Sequence, residues 1–116
     1  MPVVCDFIQL VGDVANVITP AEPPIIFNTG GRDANGTGFL QFNVRRLSIA
    51  EGAVAVRVNG VIIGSIYPYP DNDQNYWYTQ MIAFSGNQIN DGNNNLTFDR
   101  TGFEVKNMVC FFHQAA

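Results

Sequence analysis

The feature that most constrains this chain is a period of two. Leu40, Phe42 and Val44 alternate with Gln41 and Asn43, and Val54, Val56 and Val58 alternate with Ala55 and Arg57. Successive side chains of an extended strand point to opposite faces, so this pattern builds strands with one apolar and one wet face. Gly, Pro, Asn and Asp bound the apolar runs, and these residues make turns. No long segment keeps a helical period. Strands are predicted over 3–10, 14–18 (a continuation after a kink at Gly12-Asp13), 25–27, 40–44, 54–58, 61–67, 76–84 and 96–98, and in a last strand after residue 102. In that last strand Phe103, Val105, Val109 and Phe111 take the inward positions. Residues 19–24, TPAEPP, form a turn or linker, and 45–52 holds one helical turn. About eight short strands without an internal repeat predict an all-β, antiparallel two-sheet sandwich of jelly-roll type, with 1–116 as one domain.

The charge balance narrows the partners. Only 14% of the 116 residues are charged and the formal net charge is −4, while Asn occurs thirteen times, mostly between the apolar runs. A nucleic-acid binder needs a basic stripe to displace counterions from phosphates. Here five Arg and one Lys are scattered, with Arg45-Arg46 the only adjacent pair. The same deficit disfavours anionic membranes. No apolar stretch reaches the roughly 20 residues of a spanning helix. The start, MPVVCDFIQLVGD, lacks the basic region of a signal peptide. The polar, weakly charged surface suits neutral partners such as sugars or other proteins.

Cys5 and Cys110 lie near opposite ends of the chain. They are read as two free thiols, with a bridge open if the first and last strands are neighbours. With a single His113 they do not make a zinc signature. His113 is read as a tail residue without a partner for acid–base chemistry. Asn35-Gly36-Thr37 and Asn95-Leu96-Thr97 match the glycosylation acceptor pattern, a coincidence expected in an Asn-rich chain.

Val58-Asn59-Gly60, followed by a return strand, and Gly92-Asn93-Asn94 with Leu96 two positions on form a recognisable order. Over residues 38–112 the chain resembles the second half of galactose-binding-domain-like jelly rolls. These motifs define the fold: Asn-Gly sets a type I′ hairpin, and the Gly-Asn turn reverses the chain before Leu96. Members of that superfamily bind sugars, mediate protein contacts or accompany enzymes. The resemblance therefore implies a fold more than a function.

The candidate site is the polar loop near residue 70 and the aromatics beside it. Asp71, Asn72, Asp73 and Asn75 offer the hard oxygens that calcium takes, although the spacing is not that of an EF-hand. The simpler reading is a turn whose side chains bond their own backbone. Asp91 and Asn93 to Asn95 lean further toward a turn. Tyr67, Tyr69, Tyr76, Trp77 and Tyr78 crowd the same region. Strand alternation prevents Trp77 and the Tyr76/Tyr78 pair from all facing the core. Rings beside amides and carboxylates suit a sugar, stacking on its C–H face and bonding its hydroxyls. They also suit a protein interface. The expectation is a non-catalytic, lectin-like carbohydrate-binding module with Tyr69, Asp71, Asn72, Asp73, Asn75, Tyr76 and Trp77 as ligand residues, and Asp71 and Asp73 as a calcium option. The alternative is a structural or assembly protein whose aromatic patch packs against a second copy or another subunit.

Overall fold

A computed structural model describes residues 3–13, 16–18, 24–47, 52–68 and 75–115. Among the described residues there are nine strands: β1 Val3–Val11, β2 Asn16–Ile18, β3 Ile25–Asn28, β4 Thr37–Arg45, β5 Val54–Val58, β6 Val61–Ile66, β7 Tyr78–Ser85, β8 Asn93–Phe98 and β9 Phe103–Ala115. They form two antiparallel sheets. The larger has the order β1-β9-β4-β7, with β2 also on β9; the smaller has the order β3-β8-β5-β6. β1 and β2 lie one after the other along β9 and count as one interrupted strand. The expected sandwich and its kink after residue 11 are therefore present.

Alternation explains the core. Leu40, Phe42 and Val44 from β4 and Val54, Val56 and Val58 from β5 are all buried. They meet Phe27, Ile66, Leu96, Phe103 and Met108 between the sheets. The β5–β6 hairpin turns at Asn59 (φ 54) and Gly60 (φ 83), the two positive values a type I′ turn requires. Arg57 braces the turn, donating to Asp99 at 2.8 Å and to the Gly60 carbonyl at 3.0 Å.

The last strand departs from the expected pattern. Phe103 and Val105 are buried, but so are Met108, Cys110 and Phe112, while Val109 and Phe111 turn to the outer face. The cause is a β-bulge. Asn107 has φ 51, and β9 carries one residue more between Val109 and Lys106 than β4 does between Gln41 and Asn43, whereas the shift against β1 has its extra residue in β1, between Gln9 and Val11. One extra residue reverses the inward phase of everything beyond it. Asparagine tolerates the left-handed conformation that the bulge needs. Asn107 N–H is not orphaned, since it donates to the Gly12 carbonyl at 2.8 Å.

A second departure is at 87–95, expected as a loop. A 3-10 turn at Gly86–Gln88 is followed by β8, which begins already at Asn93. Asn94 is 1% exposed and its amide is fully used. Its Oδ1 accepts from the Asn90 backbone at 2.6 Å and the Asn59 side chain at 2.9 Å. Its Nδ2 donates to Thr29 Oγ1 at 2.8 Å and the Gly92 carbonyl at 3.1 Å. A buried amide is stable only when satisfied in this way. Asn94 thereby ties the β5–β6 hairpin to the start of β8.

Other boundaries also move. β7 starts at Tyr78, not at residue 76. Leu47 is buried just after β4, and half of the helical turn expected at 45–52, residues 48–51, lies outside the described residues. Cys5 pairs in register with His113, and Cys110 with Ile8. Cys5 is exposed and Cys110 buried, so both are free thiols. His113 is part of β9 rather than a tail.

Candidate functional site

The outer face of the larger sheet carries the residues that alternation cannot bury. The strand register sorts them into rows running across the strands. Nearest the chain ends of β1 and β9 are Cys5, His113, Thr37 and Ser85. Thr37 N–H donates to His113 Nδ1 at 3.1 Å, so that nitrogen acts as an acceptor. Next come Phe7, Phe111, Phe39 and Ala83, with the Phe7 and Phe111 ring centroids 6.3 Å apart. Then follow Gln9, Val109, Gln41 and Met81. Below the bulge are Lys106, Asn43 and Thr79, with Thr79 Oγ1 donating to Asn43 at 2.7 Å. The last row holds Glu104 and Arg45, with Trp77 just before β7.

Trp77 meets two cations. The Arg45 guanidinium carbon is 4.4 Å and the Lys106 ammonium 4.3 Å from its ring centroid. A cation over an indole face is drawn to the negative side of the ring quadrupole. Glu104 holds the arginines in turn. Its Oε1 accepts from Arg45 Nη2 at 3.2 Å and its Oε2 from Arg46 Nε at 3.0 Å. Trp77 is half-buried, so part of its surface stays exposed.

Residues 67–68 after β6 and 75–77 before β7 are the described parts of the connection between these strands. Its entry is fixed by an amide clamp. Tyr67 N–H donates to Gln80 Oε1 at 3.0 Å, and the Tyr67 carbonyl accepts from both Gln80 Nε2 and the Tyr78 hydroxyl. The ring of Tyr67 is left outside, 63% exposed, and Tyr76 at the loop exit is 58% exposed. Tyr78 instead packs against the core. The three neighbours Tyr76, Trp77 and Tyr78 thus have separate environments: solvent, the cations of the outer face, and the core edge. Asn75 is exposed beside them. Tyr69, Asp71, Asn72 and Asp73 lie outside the described residues, and with them the calcium option. Among the described residues no three His, Cys, Asp or Glu side chains gather as a metal-binding group.

Sequence reasoning missed Arg45, Arg46, Glu104 and Lys106. Arg45-Arg46 was visible as the only basic pair. Glu104 and Lys106 come from sixty residues along the chain, and only the β4–β9 register brings them in. It also missed the phenylalanine row, because Phe111 reads as core until the bulge is known.

No family model matches the sequence, and no curated protein sequence matches it. Solved structures do. A beta-porphyranase of glycoside hydrolase family 86 from the human gut bacterium Bacteroides plebeius aligns with a TM-score of 0.65 and 15% identity, over 97% of this chain and 21% of its own. Dimeric latent PorU from Porphyromonas gingivalis aligns with a TM-score of 0.65 and 11% identity, over 98% of this chain and 13% of its own. A family 35 carbohydrate binding module from Clostridium thermocellum aligns with a TM-score of 0.50 and 18% identity, over 95% of this chain and 91% of its own. The chain therefore spans about a fifth or less of the first two and nearly all of the third. At these identities the likeness is one of fold, a two-sheet antiparallel β-sandwich of jelly-roll type.

Proposed function

We propose that this chain is a non-catalytic carbohydrate-binding module. Its site lies where the 67–78 loop meets the outer face of the larger sheet. The observation that carries this reading is the pair of exposed rings, Tyr67 and Tyr76, on either side of a loop anchored by Gln80, next to Trp77. Gln80 fixes the backbone at Tyr67, so presenting that ring costs little ordering on binding. The rings offer C–H stacking surfaces, and Asn75 and the loop residues Tyr69, Asp71, Asn72 and Asp73 offer hydrogen-bonding groups. Calcium at Asp71 and Asp73 is part of the proposal as an accessory to the same loop. The resemblance to a carbohydrate binding module along nearly its whole length supports the reading. A glycan array run with and without EDTA tests it. Binding that Trp77→Ala or Tyr76→Ala abolishes is expected. Silence across the array, from protein whose melting curve is intact, rejects it.

The row of Phe7, Phe111 and Phe39 favours a second reading, in which this face packs against a second copy of the chain. Phe7 is 65% and Phe39 42% exposed, with Met81 57% exposed in the next row. Contiguous apolar surface on a sheet face is the usual mark of an interface. The two upper rows and the row of Gln9 and Met81 contain no Asp, Glu, Lys or Arg, so two acidic copies would meet there without like-charge repulsion. Size-exclusion chromatography at micromolar concentration distinguishes this reading, since a strictly monomeric elution excludes it.

A further inference from the structure

The Trp77 corner carries charge of a sign that the rest of the chain does not. Of the six Lys and Arg in the sequence, Arg45, Arg46 and Lys106 gather here. They come together because Arg45 pairs with Glu104 and Asn43 with Lys106 in the β4–β9 register. Three cations face one carboxylate. Among the described residues this corner therefore has two positive charges in excess, in a chain of formal net charge −4. Both oxygens of Glu104 are committed to the arginines. Lys106 has no ion pair among the described residues, and its ammonium is held against the Trp77 ring instead.

Arg46 adds an independent observation. Its φ is 69, in the left-handed region that an arginine seldom occupies. The other non-glycine residues with positive φ are Asn59 and Asn107, which suit that region. The unusual backbone turns the Arg46 guanidinium onto Glu104 while leaving 52% of the side chain exposed. Costly backbone states persist where the surroundings over-determine them, often at binding sites.

We infer that Arg45, Arg46 and Lys106 form an anion-recognising subsite around Trp77, so that the glycan bound at this end is an acidic one, bearing a carboxylate or a sulfate. The inference rests on the carbohydrate reading above and names its ligand class. Guanidinium forks match the paired oxygens of carboxylate and sulfate, and Glu104 holds the forks in place before a ligand arrives. Lys106 supplies a point charge two residues along the same strand face. Trp77 positions the Arg45 and Lys106 cations against its ring, and the neighbouring exposed ring of Tyr76 supplies the apolar surface on which the sugar ring rests. An acidic sugar would compensate the excess charge that Glu104 alone does not.

Trp77 is the only tryptophan in the chain and reports on its own site. The test is a fluorescence titration of the full chain with two matched pairs of oligosaccharides. One pair is an oligogalacturonide and its fully methyl-esterified, neutral counterpart. The other is a sulfated galacto-oligosaccharide and its desulfated counterpart. The expected result is that the acidic member of at least one pair binds at least about tenfold more tightly than its neutral partner. That preference should shrink between about 50 mM and about 200 mM salt. Lys106→Gln and Arg46→Gln should each remove most of it without shifting the melting curve. A preference confined to one pair identifies carboxylate or sulfate as the group recognised. Equal or tighter binding of the neutral members overturns the anionic subsite and leaves the carbohydrate reading standing. No response to any of the four, together with a silent glycan array, overturns both.

Discussion

The two ends of one sheet face are built differently. At one end, Trp77 lies against Arg45 and Lys106, and Glu104 holds the arginines. At the other, Phe7, Phe111 and Phe39 form a row with no charged neighbour in the rows on either side. Both ends place aromatic rings on the outside of the sandwich. The first end gives its ring partners from within the chain, and those partners leave charge over. The second gives its rings none beyond one another. A surface with fixed, partly satisfied charges is prepared for a small polar ligand, whereas bare apolar area is satisfied only by more protein. The bulge at Asn107 marks the border between them.

Breaking that border has the largest expected effect. Asn107→Val disfavours the positive φ of the bulge, and straightening β9 there without removing a residue would turn Met108, Cys110 and Phe112 outward. Because that loss of burial costs about 1.5–3 kcal/mol for each side chain, the chain should keep the bulge and lose about 1–3 kcal/mol to the strained backbone. Circular dichroism and urea denaturation measure this. Asn107→Gly, which keeps the positive φ, is expected to stay within about 1 kcal/mol of the parent.

Next in size is the separation of binding from packing. Trp77→Ala should weaken glycan affinity at least about tenfold, about 1.4 kcal/mol, while Phe39→Ala changes it less than about twofold. Calorimetric titration of both variants decides. If Phe39→Ala abolishes glycan binding, the two ends are one site and the comparison fails. The converse test uses self-association. Phe39→Glu should raise the dimer dissociation constant by about tenfold or more in sedimentation, with stability changed by no more than about 0.5 kcal/mol, as for an exposed position. If the charged end forms the contact, Lys106→Gln will have that effect instead.

The smallest effect concerns the two thiols. Burial pushes the Cys110 thiol up to about 12, while Cys5 is exposed on the outer face above it. A thiol reagent should titrate one cysteine in the native chain and two after unfolding. Protection of Cys5 at high protein concentration would show that the phenylalanine end is covered. The raised value also makes stability fall with pH. Above an unfolded value near 9 the unfolded chain loses the Cys110 proton and the folded one keeps it. The stability it contributes is full below that range and declines toward pH 12. The loss should be about 1 kcal/mol between pH 9 and 10, seen in urea denaturation and absent in Cys110→Val.

Legibility followed the range of the interaction. The Asn59-Gly60 turn was readable because its conformation depends on two adjacent residues. The β4 and β5 core faces were readable for the same reason: alternation is local and a bulge does not interrupt their inward set. Asn94 was misleading. Its type says turn, yet four partners, Thr29, Asn59, Asn90 and Gly92, let it sit buried in a strand. Phe111 was misleading because the phase of β9 changes at Asn107, which nothing in the local pattern marks. Within the candidate site the aromatics were visible, since strand alternation prevents Trp77 and the Tyr76/Tyr78 pair from all facing the core. Their partners were not.

The sequence by itself determined an all-β sandwich, its strand-and-turn order, one hairpin and the crowd of rings near residue 70. Those follow from side-chain period and turn chemistry, which act over a few residues. Only the tertiary structure decided which rings meet cations, which meet solvent and which lie in the core. That outcome depends on register between strands sixty residues apart, and one residue of slip changes every face.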